Sequence, residues 1–264
     1  MTSRRFRREA GLFAFEGPEL VACAFDADVN LERLFVAPEA SDEVLGLADH
    51  AQTMGINVGW LAEGVLESVA DAKTPQGCIA TARRTPIDLS AVPGPSFVIV
   101  VDQLQDPGNL GAIVRVAEGC GADALIVSNH SADPYGPKAL RAGSGSTFRV
   151  PVVEGGDVGE ILDALAEREI AVLATSSHGG VDFATFAWPS ATALLFGNEG
   201  AGLEQSVIDR CSETLQIPLS GALESLNVAV AAGILTMAAK RRLVTSETGP
   251  LASTMNSVPM KDSQ

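Results

Sequence analysis

The sequence lacks the signatures of several common enzyme classes. It contains no G-x-G-x-x-G after a strand, no G-x-x-x-x-G-K-[ST] and no G-x-S-x-G. These absences argue against a dinucleotide-binding Rossmann domain, a P-loop NTPase and a nucleophile-elbow hydrolase. The four cysteines form no C-x-x-C pair and the three histidines are scattered, so we expect no metal site.

Long apolar runs are also missing. The longest one late in the chain, Val228 to Ala239, is too short to cross a bilayer. No apolar signal-peptide core of useful length follows the arginines at the start of the sequence. We therefore expect a soluble, cytoplasmic protein that does not bind membranes.

Positive charge is scarce, because 18 Lys and Arg against 33 Asp and Glu give a formal net charge of −15. This balance argues against a protein that simply coats phosphates with a basic face, but it allows local basic patches. The basic residues do form short clusters, which are Arg4, Arg5, Arg7 and Arg8; Arg83 and Arg84; Lys138, Arg141 and Arg149; and Lys240, Arg241 and Arg242.

Small apolar residues and glycine are abundant. Hydrophobic residues make up 46% of the 264 positions and 26 are glycine, while aromatics contribute only 5%. A chain of this length can bury a large core, and tight loops between buried strands and helices are typical of α/β folds. The sequence therefore predicts a globular α/β protein of one large or two small domains.

A proline-rich break divides the chain. Residues 83–96 contain three prolines and one glycine, which indicates a linker, and we place it at 85–96. It separates a small α/β domain at 1–84 from a larger βα series at 97–245 with a mostly parallel sheet. Residues 246–264 are rich in Ser, Thr and Pro, and we predict a disordered tail there.

Apolar periodicity predicts the individual elements. One predicted helix begins at Pro18. The other predicted helices cover residues 41–54, 109–118, 157–168, 203–210 and 225–243. The predicted strands cover residues 31–37, 56–60, 77–82, 97–101, 124–127, 148–150, 170–174, 192–196 and 214–217.

Three loops after predicted strands carry polar residues. The first, Asp106 to Arg115, contains Asn109, which can cap the following helix, although an ordinary strand–loop–helix with a solvated arginine explains it as well. The second, Gly197 to Gly202, encloses one carboxylate, Glu199, between glycines that allow close approach of a ligand. A tight turn between strand and helix is the alternative interpretation, and the isolated Glu199 argues against it.

The third loop, Ile217 to Ala231, leads into a long helix. It contains Ser225 and Asn227, both of which are common residues at a helix N-terminus, so a simple helix cap explains either one alone.

In this order and spacing, the three segments resemble the motifs of the SpoU (TrmH-like) RNA 2′-O-methyltransferases of the SPOUT superfamily. The resemblance covers residues 97–245. The N-terminal region resembles the L30e-like substrate-binding domain of this family through Phe15-Glu16-Gly17-Pro18 and Thr74-Pro75-Gln76-Gly77.

The resemblance implies a trefoil-knotted fold that binds S-adenosylmethionine, with backbone contacts from Gly197, Ile217 and Leu226. It implies transfer of a methyl group to a ribose 2′-hydroxyl without a metal. The implied catalytic residues are Asn109, Arg115, Glu199, Ser225 and Asn227.

The role of Arg115 stays open between general base and bidentate clamp on the target phosphate, because a guanidinium resists deprotonation. The resemblance also implies a homodimer and an RNA substrate, and we expect Lys138 and Arg141 to contact the RNA. The segment Arg141-Ala142-Gly143-Ser144-Gly145 departs slightly from the family pattern, which tends toward Arg-Ala-Ser, a bulky residue and Gly.

Two function classes compete. The first is an RNA 2′-O-methyltransferase acting on 23S rRNA, with a tRNA methyltransferase as the alternative substrate class. The second is a non-catalytic RNA-binding module of the same fold, against which the intact set of five polar residues argues.

Overall fold

The computed structural model describes residues 3–70, 74–92 and 96–248, which form two β-sheets with helices between their strands. This arrangement confirms the predicted α/β class. The small sheet contains β1 Leu12–Glu16, β2 Leu31–Val36, β3 Asn57–Trp60 and β4 Cys78–Arg83. The helices of this part are α1 Arg4–Ala10, α2 Pro18–Asp26, α3 Asp42–Thr53 and α4 Val65–Val69.

The small sheet has the strand order β1-β4-β2-β3, with β2 and β3 parallel and the other neighbours antiparallel. The predicted starts of two helices in this part are confirmed. Pro18 occupies the first turn of α2, and the Ser41 hydroxyl accepts a hydrogen bond from the Val44 backbone N–H at the start of α3.

The large sheet contains seven strands: β5 Phe97–Val101, β6 Ala124–Val127, β7 Val152–Glu154, β8 Ala171–Ser176, β9 Val181–Asp182, β10 Thr192–Phe196 and β11 Glu213–Gln216. Its helices are α5 Pro107–Cys120, α6 Pro137–Gly143, α7 Val158–Glu167, α8 Gln205–Ile208 and α9 Val228–Thr248.

The strand order of the large sheet is β7-β6-β5-β10-β8-β11-β9, and every neighbouring pair is parallel. Both central strands, β5 and β10, are buried along their whole length, which explains their continuous apolar sequences. Because all strands run the same way, the loops that follow β5, β10 and β11 meet at one edge of the sheet.

The predicted strand over residues 148–150 is wrong. A 3₁₀ turn, Ser146–Phe148, occupies this place, and the strand β7 begins only at Val152. Phe148 is apolar because its ring packs against Phe15 of the small sheet, with 5.0 Å between ring centroids. The apolar residue that suggested a strand at this position therefore serves the contact between the two sheets.

The boundaries of three predicted helices also need correction. Helix α5 begins at Pro107 rather than at residue 109, and α8 is shorter than predicted. Helix α9 begins at Val228 rather than at residue 225 and continues through Thr248, so residues 246–248 of the predicted disordered tail are helical. Residues 249–264 of that tail lie outside the described residues.

The predicted linker packs against the large sheet. Ile87 forms an isolated parallel bridge with Val153, and Val92 is buried in the same core as β5; residues 93–95 of the linker lie outside the described residues. The small sheet in turn takes two residues from the larger half into its own core, because Tyr135 and Leu140 pack with its apolar residues. The two sheets therefore share packed apolar residues.

Candidate active site

A cavity of about 430 Å³ opens at the carboxyl ends of β8, β10 and β11. The loops at residues 197–202 and 217–227 form most of its wall, together with the end of β8 and the start of α9. The three residues predicted to contact a cofactor through their backbone all line it: Gly197, Ile217 and Leu226. The structure thus brings the second and third motifs together around one space.

The loop after β10 is held by its own hydrogen bonds. The backbone groups of Asn198 and Gly202 exchange two hydrogen bonds, of 3.1 and 3.0 Å, and Asn198 Oδ1 accepts from the N–H groups of Gly200 and Ala201. A Cβ at Gly197 would lie 2.5 Å from the carbonyl carbon of Gly202, so only glycine fits there. This loop is therefore a rigid wall of the cavity.

Glu199, at the tip of this loop, points toward the first motif. Its carboxylate accepts hydrogen bonds from the backbone N–H groups of Gln105 at 3.0 Å and Asp106 at 2.8 Å, and from Asn109 Nδ2 at 3.2 Å. Burial acts to raise the pKa of Glu199, but these hydrogen bonds outweigh it and the pKa lies below its usual range. The carboxylate is therefore charged and fixed in orientation.

Asn227 connects the third motif to this group. Its Nδ2 donates to Asn109 Oδ1 at 3.0 Å, while its Oδ1 accepts from the backbone N–H groups of Ala229 and Val230 at the start of α9. Glu199, Asn109 and Asn227 thus form one hydrogen-bonded chain, which we call the polar triad. Each of the three motifs contributes one member.

Asn109 does not cap its helix, contrary to the prediction. The cap of α5 is Asp106, whose Oδ1 accepts from the Gly108 N–H at 2.7 Å, and Pro107 occupies the first turn. In the sequence, the pair Asp106-Pro107 indicates this helix start. Because the capping position is taken by Asp106, both the amide nitrogen and the amide oxygen of Asn109 serve the polar triad.

The two other predicted catalytic residues have different positions. Ser225 lines the cavity and is exposed. Arg115 lies six residues beyond Asn109 on α5, about 9 Å further along the helix axis. Its side chain is exposed and does not line the cavity. Within one chain, the structure therefore does not bring Arg115 to the polar triad.

The two predicted RNA contacts also separate. Lys138 lies near the first motif, where its Nζ is 2.7 Å from Asp106 Oδ1 and its side chain remains exposed. The pKa of Asp106 lies below its usual range. The interaction with Lys138 is the largest cause, and the hydrogen bond from the Gly108 N–H is the next. Arg141 is half-buried between the two sheets, with its Nη1 3.6 Å from Glu16 Oε1.

Sequence reasoning did not assign a role to Gln105 or Asn198. Gln105 offers its backbone N–H to Glu199, and its side chain donates to the His130 carbonyl at 2.8 Å. Asn198 holds the glycine loop and donates to the Gln103 carbonyl at 2.9 Å. Most of these hydrogen bonds join a side chain to backbone groups of another loop, and the sequence pattern does not reveal such contacts.

The parts of the chain that the structure describes contain no group of three or more His, Cys, Asp or Glu side chains placed to hold a metal ion. In the same residues, no helix is both long and apolar enough to span a membrane.

Comparisons with known proteins agree with the geometry. Residues 96–237 match the SpoU rRNA Methylase family, and residues 1–80 match the MRM3-like substrate binding domain. The 23S rRNA (guanosine(2553)-2′-O)-methyltransferase RlmP of Bacillus subtilis is 31% identical over 233 residues, which are 88% of this chain and 90% of that protein.

Solved structures show the same likeness. The SpoU methyltransferase AviRb from Streptomyces viridochromogenes, in complex with AdoMet, superposes with a TM-score of 0.81 at 30% identity, covering 92% of this chain and 95% of that one. An AdoMet-bound rRNA methyltransferase from Sinorhizobium meliloti also gives a TM-score of 0.81, at 28% identity and with 92% of each chain covered. Two motifs line one cavity, the first is hydrogen-bonded to both of them, and the family match covers more than half of the chain, so this chain belongs to the SpoU rRNA methylase family.

Proposed function

We propose that this protein is an S-adenosylmethionine-dependent methyltransferase that modifies a ribose 2′-hydroxyl in 23S rRNA. The observation that carries the proposal is the polar triad, which ties Asn109, Glu199 and Asn227 together beside the 430 Å³ cavity. The relatives named for 23S rRNA 2′-O-methylation and the AdoMet-bound neighbours support the same substrate and cofactor. A ribosomal RNA substrate would also place the protein in the cytoplasm, which stays a prediction.

The cavity suits S-adenosylmethionine in size and chemistry. Its volume falls within the range of small-molecule sites, and its wall combines the apolar side chains of Ile217, Leu219 and Leu226 with the backbone of the glycine loop. We propose that this wall holds the adenosine part through backbone N–H and C=O groups. The cofactor, when bound, supplies a methyl group on a positively charged sulfur. The predicted trefoil knot around this cavity remains a prediction.

We propose that the polar triad positions the ribose. Asn109 is held from both sides, by Glu199 and by Asn227, so its amide presents fixed hydrogen-bonding groups to a nucleotide at the mouth of the cavity. Ser225 is exposed in the wall of the cavity, and we propose that its hydroxyl contacts the ribose hydroxyls. Transfer requires that the 2′-hydroxyl loses its proton as its oxygen takes the methyl group.

We propose that Arg115 binds the phosphate beside the target ribose and that water or this phosphate accepts the proton. A guanidinium stays protonated in proteins, and its planar fork matches a phosphate. Because Arg115 lies away from the triad of its own chain, we propose that it serves the site of a second copy. Helix α9 supports this homodimer with an exposed apolar face at helical spacing, formed by Val230, Ile234 and Met237.

The test measures transfer of labelled methyl groups from S-adenosylmethionine to unmodified 23S rRNA and, in parallel, to unmodified tRNA. The proposal expects 2′-O-methylribose in the 23S rRNA. If only the tRNA were methylated, the substrate class would be tRNA instead of 23S rRNA. Calorimetric titration with S-adenosylmethionine, with NAD as the control, distinguishes a methyltransferase from a non-catalytic RNA-binding module. A chain that binds RNA but neither binds the cofactor nor transfers methyl groups would be a non-catalytic RNA-binding module.

A further inference from the structure

A second cavity, of about 230 Å³, lies next to the N-terminal helix. Its walls come from α1, from the segment after β4, from the turn after β6 and from the end of β7. The polar side chains in these walls are those of Arg8, Arg84, Thr85, Asn129, Tyr135 and Glu154. The proposed reaction assigns no role to these six side chains.

Arg84 is a buried charge in this wall, with its side chain only 9% exposed. Its Nη2 donates to Glu154 Oε2, and the guanidinium lies over the ring of Tyr135 at 4.8 Å from the centroid. Its Nη1 is shielded from water and has no hydrogen-bond partner within residues 3–70, 74–92 and 96–248, and in the same residues Glu154 Oε1 also has none. A buried donor without an acceptor is costly, so an acceptor entering the cavity would be stabilised there.

Positive charge exceeds negative charge around the cavity. Arg8 Nη2 lies 3.7 Å from Glu154 Oε1, and the Arg8 side chain is still 39% exposed. Four arginines lie in this neighbourhood, Arg4, Arg7, Arg8 and Arg84, together with the carboxylates of Asp133 and Glu154. A third carboxylate, Asp157, lies two residues beyond Gly155 of the wall and pairs with His130. Burial lowers the pKa of Arg84; Asp133 and Tyr135 act against this effect, whereas Arg8 and Arg4 add to it. In a chain with a net charge of −15, this neighbourhood attracts an anion.

The two cavities share one edge of the large sheet and are connected by one turn. On one side of this turn, Arg4 Nη1 donates to the carbonyls of Asn129 and Ser131 at 3.2 and 2.6 Å. On the other side, Gln105, which also binds Glu199, donates to the carbonyl of His130. Strand β7 is three positions from β10, so about 14 Å of sheet separates the two sites at a spacing of about 4.8 Å per strand.

We propose that the second cavity binds a phosphate group of the RNA strand whose ribose is methylated, with Arg8 and Arg84 as its ligands. This inference rests on the proposed function. The planar guanidinium forks match phosphate oxygens, and Arg84 is held in place in advance by Glu154 and Tyr135. A phosphate held here, a few nucleotides from the target ribose, would fix the register of the strand in the active site.

The test compares R8Q with R5Q, because both remove one positive charge from α1. Arg5 is the matched control, since its side chain is 86% exposed and pairs only with Glu9 among the described residues. Filter binding of an unmodified 23S rRNA transcript is measured between about 50 and 200 mM salt, with S-adenosylmethionine affinity as the second readout. R8Q should weaken RNA binding about fivefold and reduce the salt slope by about 0.7 to 0.9, as expected for one lost phosphate contact. R5Q should bind like the wild type, and cofactor affinity should not change in either variant.

Two further variants test Arg84 itself. R84Q should weaken RNA binding at least as much as R8Q; if it does not fold, R8Q carries the test. E154Q removes the competing carboxylate and should strengthen RNA binding, whereas a purely structural ion pair would give lower stability with no gain in affinity. Equal binding and equal salt slopes for R8Q and R5Q, with no gain for E154Q, would overturn the proposal even if methyl transfer is intact.

Inorganic phosphate distinguishes this inference from the proposed function. Its effect on the melting temperature is compared with that of chloride at equal ionic strength. Suppose that the protein neither binds RNA nor transfers methyl groups. If phosphate then stabilises the wild type but not R8Q, the phosphate site is retained and its assignment to RNA is overturned. Absence of both RNA binding and phosphate stabilisation would overturn the site itself.

Discussion

Asn227 Nδ2 donates a hydrogen bond to Asn109 Oδ1 at 3.0 Å, although 118 positions separate the two residues in the chain. The bond joins the loop before α9 to the first turn of α5, and Asn109 passes the connection on to Glu199. Each amide has one oxygen and one nitrogen engaged on opposite sides, so its orientation is determined. The polar triad is therefore a preorganised group.

Replacement of Asn109 by alanine should abolish most methyl transfer and leave the fold intact. The change removes the central member of the triad, and we expect a loss on the order of 10²-fold in turnover, as for other preorganised polar groups. Cofactor binding, measured by calorimetry, should be unchanged because Asn109 does not line the cavity. N109D should also lower the melting temperature at neutral pH, because a second carboxylate would face Glu199. Wild-type turnover in N109A would remove Asn109 from the mechanism.

Replacement of Glu199 by glutamine should lower stability in a pH-dependent way. The pKa of Glu199 lies below its ordinary value of 4.5, so its charged form stabilises the native state above that value, and this contribution is lost as the pH falls through the folded-state pKa. The melting temperature of E199Q should therefore lie below that of the wild type at neutral pH, and the gap should close below about pH 4.5. E63Q, at an exposed site, is the control. A gap that stays constant down to acid pH would contradict this account.

Replacement of Gly197 by alanine should disrupt the cofactor wall. The added Cβ would lie 2.5 and 2.6 Å from the carbonyl carbon and oxygen of Gly202, and backbone cannot move away cheaply. We expect a loss of about 1–3 kcal/mol in the free energy of unfolding and weaker binding of S-adenosylmethionine. At Gly200 in the same loop, the nearest atom would be Asn198 Oδ1 at 3.6 Å, so G200A should be tolerated. Equal effects of the two changes on calorimetric affinity would exclude this steric reason.

Helix α5 offers a matched pair that tests how closely it packs on α6. A Cβ at Gly111 would lie 2.4 Å from the Ala139 carbonyl oxygen and 2.6 Å from the Ala142 Cβ, whereas Gly119 on the same helix meets nothing within 4 Å. G111A should therefore destabilise the protein by about 1–3 kcal/mol in chemical denaturation. G119A should stabilise it by up to about 1 kcal/mol, since alanine favours helix. A stable G111A variant would mean that α5 and α6 can separate at no cost.

The sequence allowed prediction of most of the fold because its strands are unusually clear. Continuous apolar runs such as Phe97–Val101 fit strands buried on both faces, and Pro18 and Ser41 marked the starts of helices correctly. The errors arose where an apolar residue serves the contact between the two sheets, as Phe148 does, or where a neighbouring residue is the better cap, as Asp106 is. Short-range patterns cannot distinguish these uses.

The resemblance supplied the candidate site residues, but it did not give their contacts in three dimensions. The resemblance pointed to Asn109, Glu199 and Asn227, and the structure joins these three directly. The roles of Gln105 and Arg84 were not predictable, because they depend on a backbone N–H placed by a loop and on a guanidinium buried between distant segments. The separation of Arg115 from the triad likewise follows from the direction of α5 in three dimensions.

The packing of Tyr135 and Leu140 into the core of the small sheet has a consequence for motion and for unfolding. Where separate domains are joined by a free linker, rotation about a hinge is the default expectation, but a shared apolar core removes that freedom. The buried ion pair between Arg7 and Asp133 adds a second tie between the halves. A substrate that touches both sheets would then meet a cleft that already has its final shape, and heating should melt both halves in one cooperative transition.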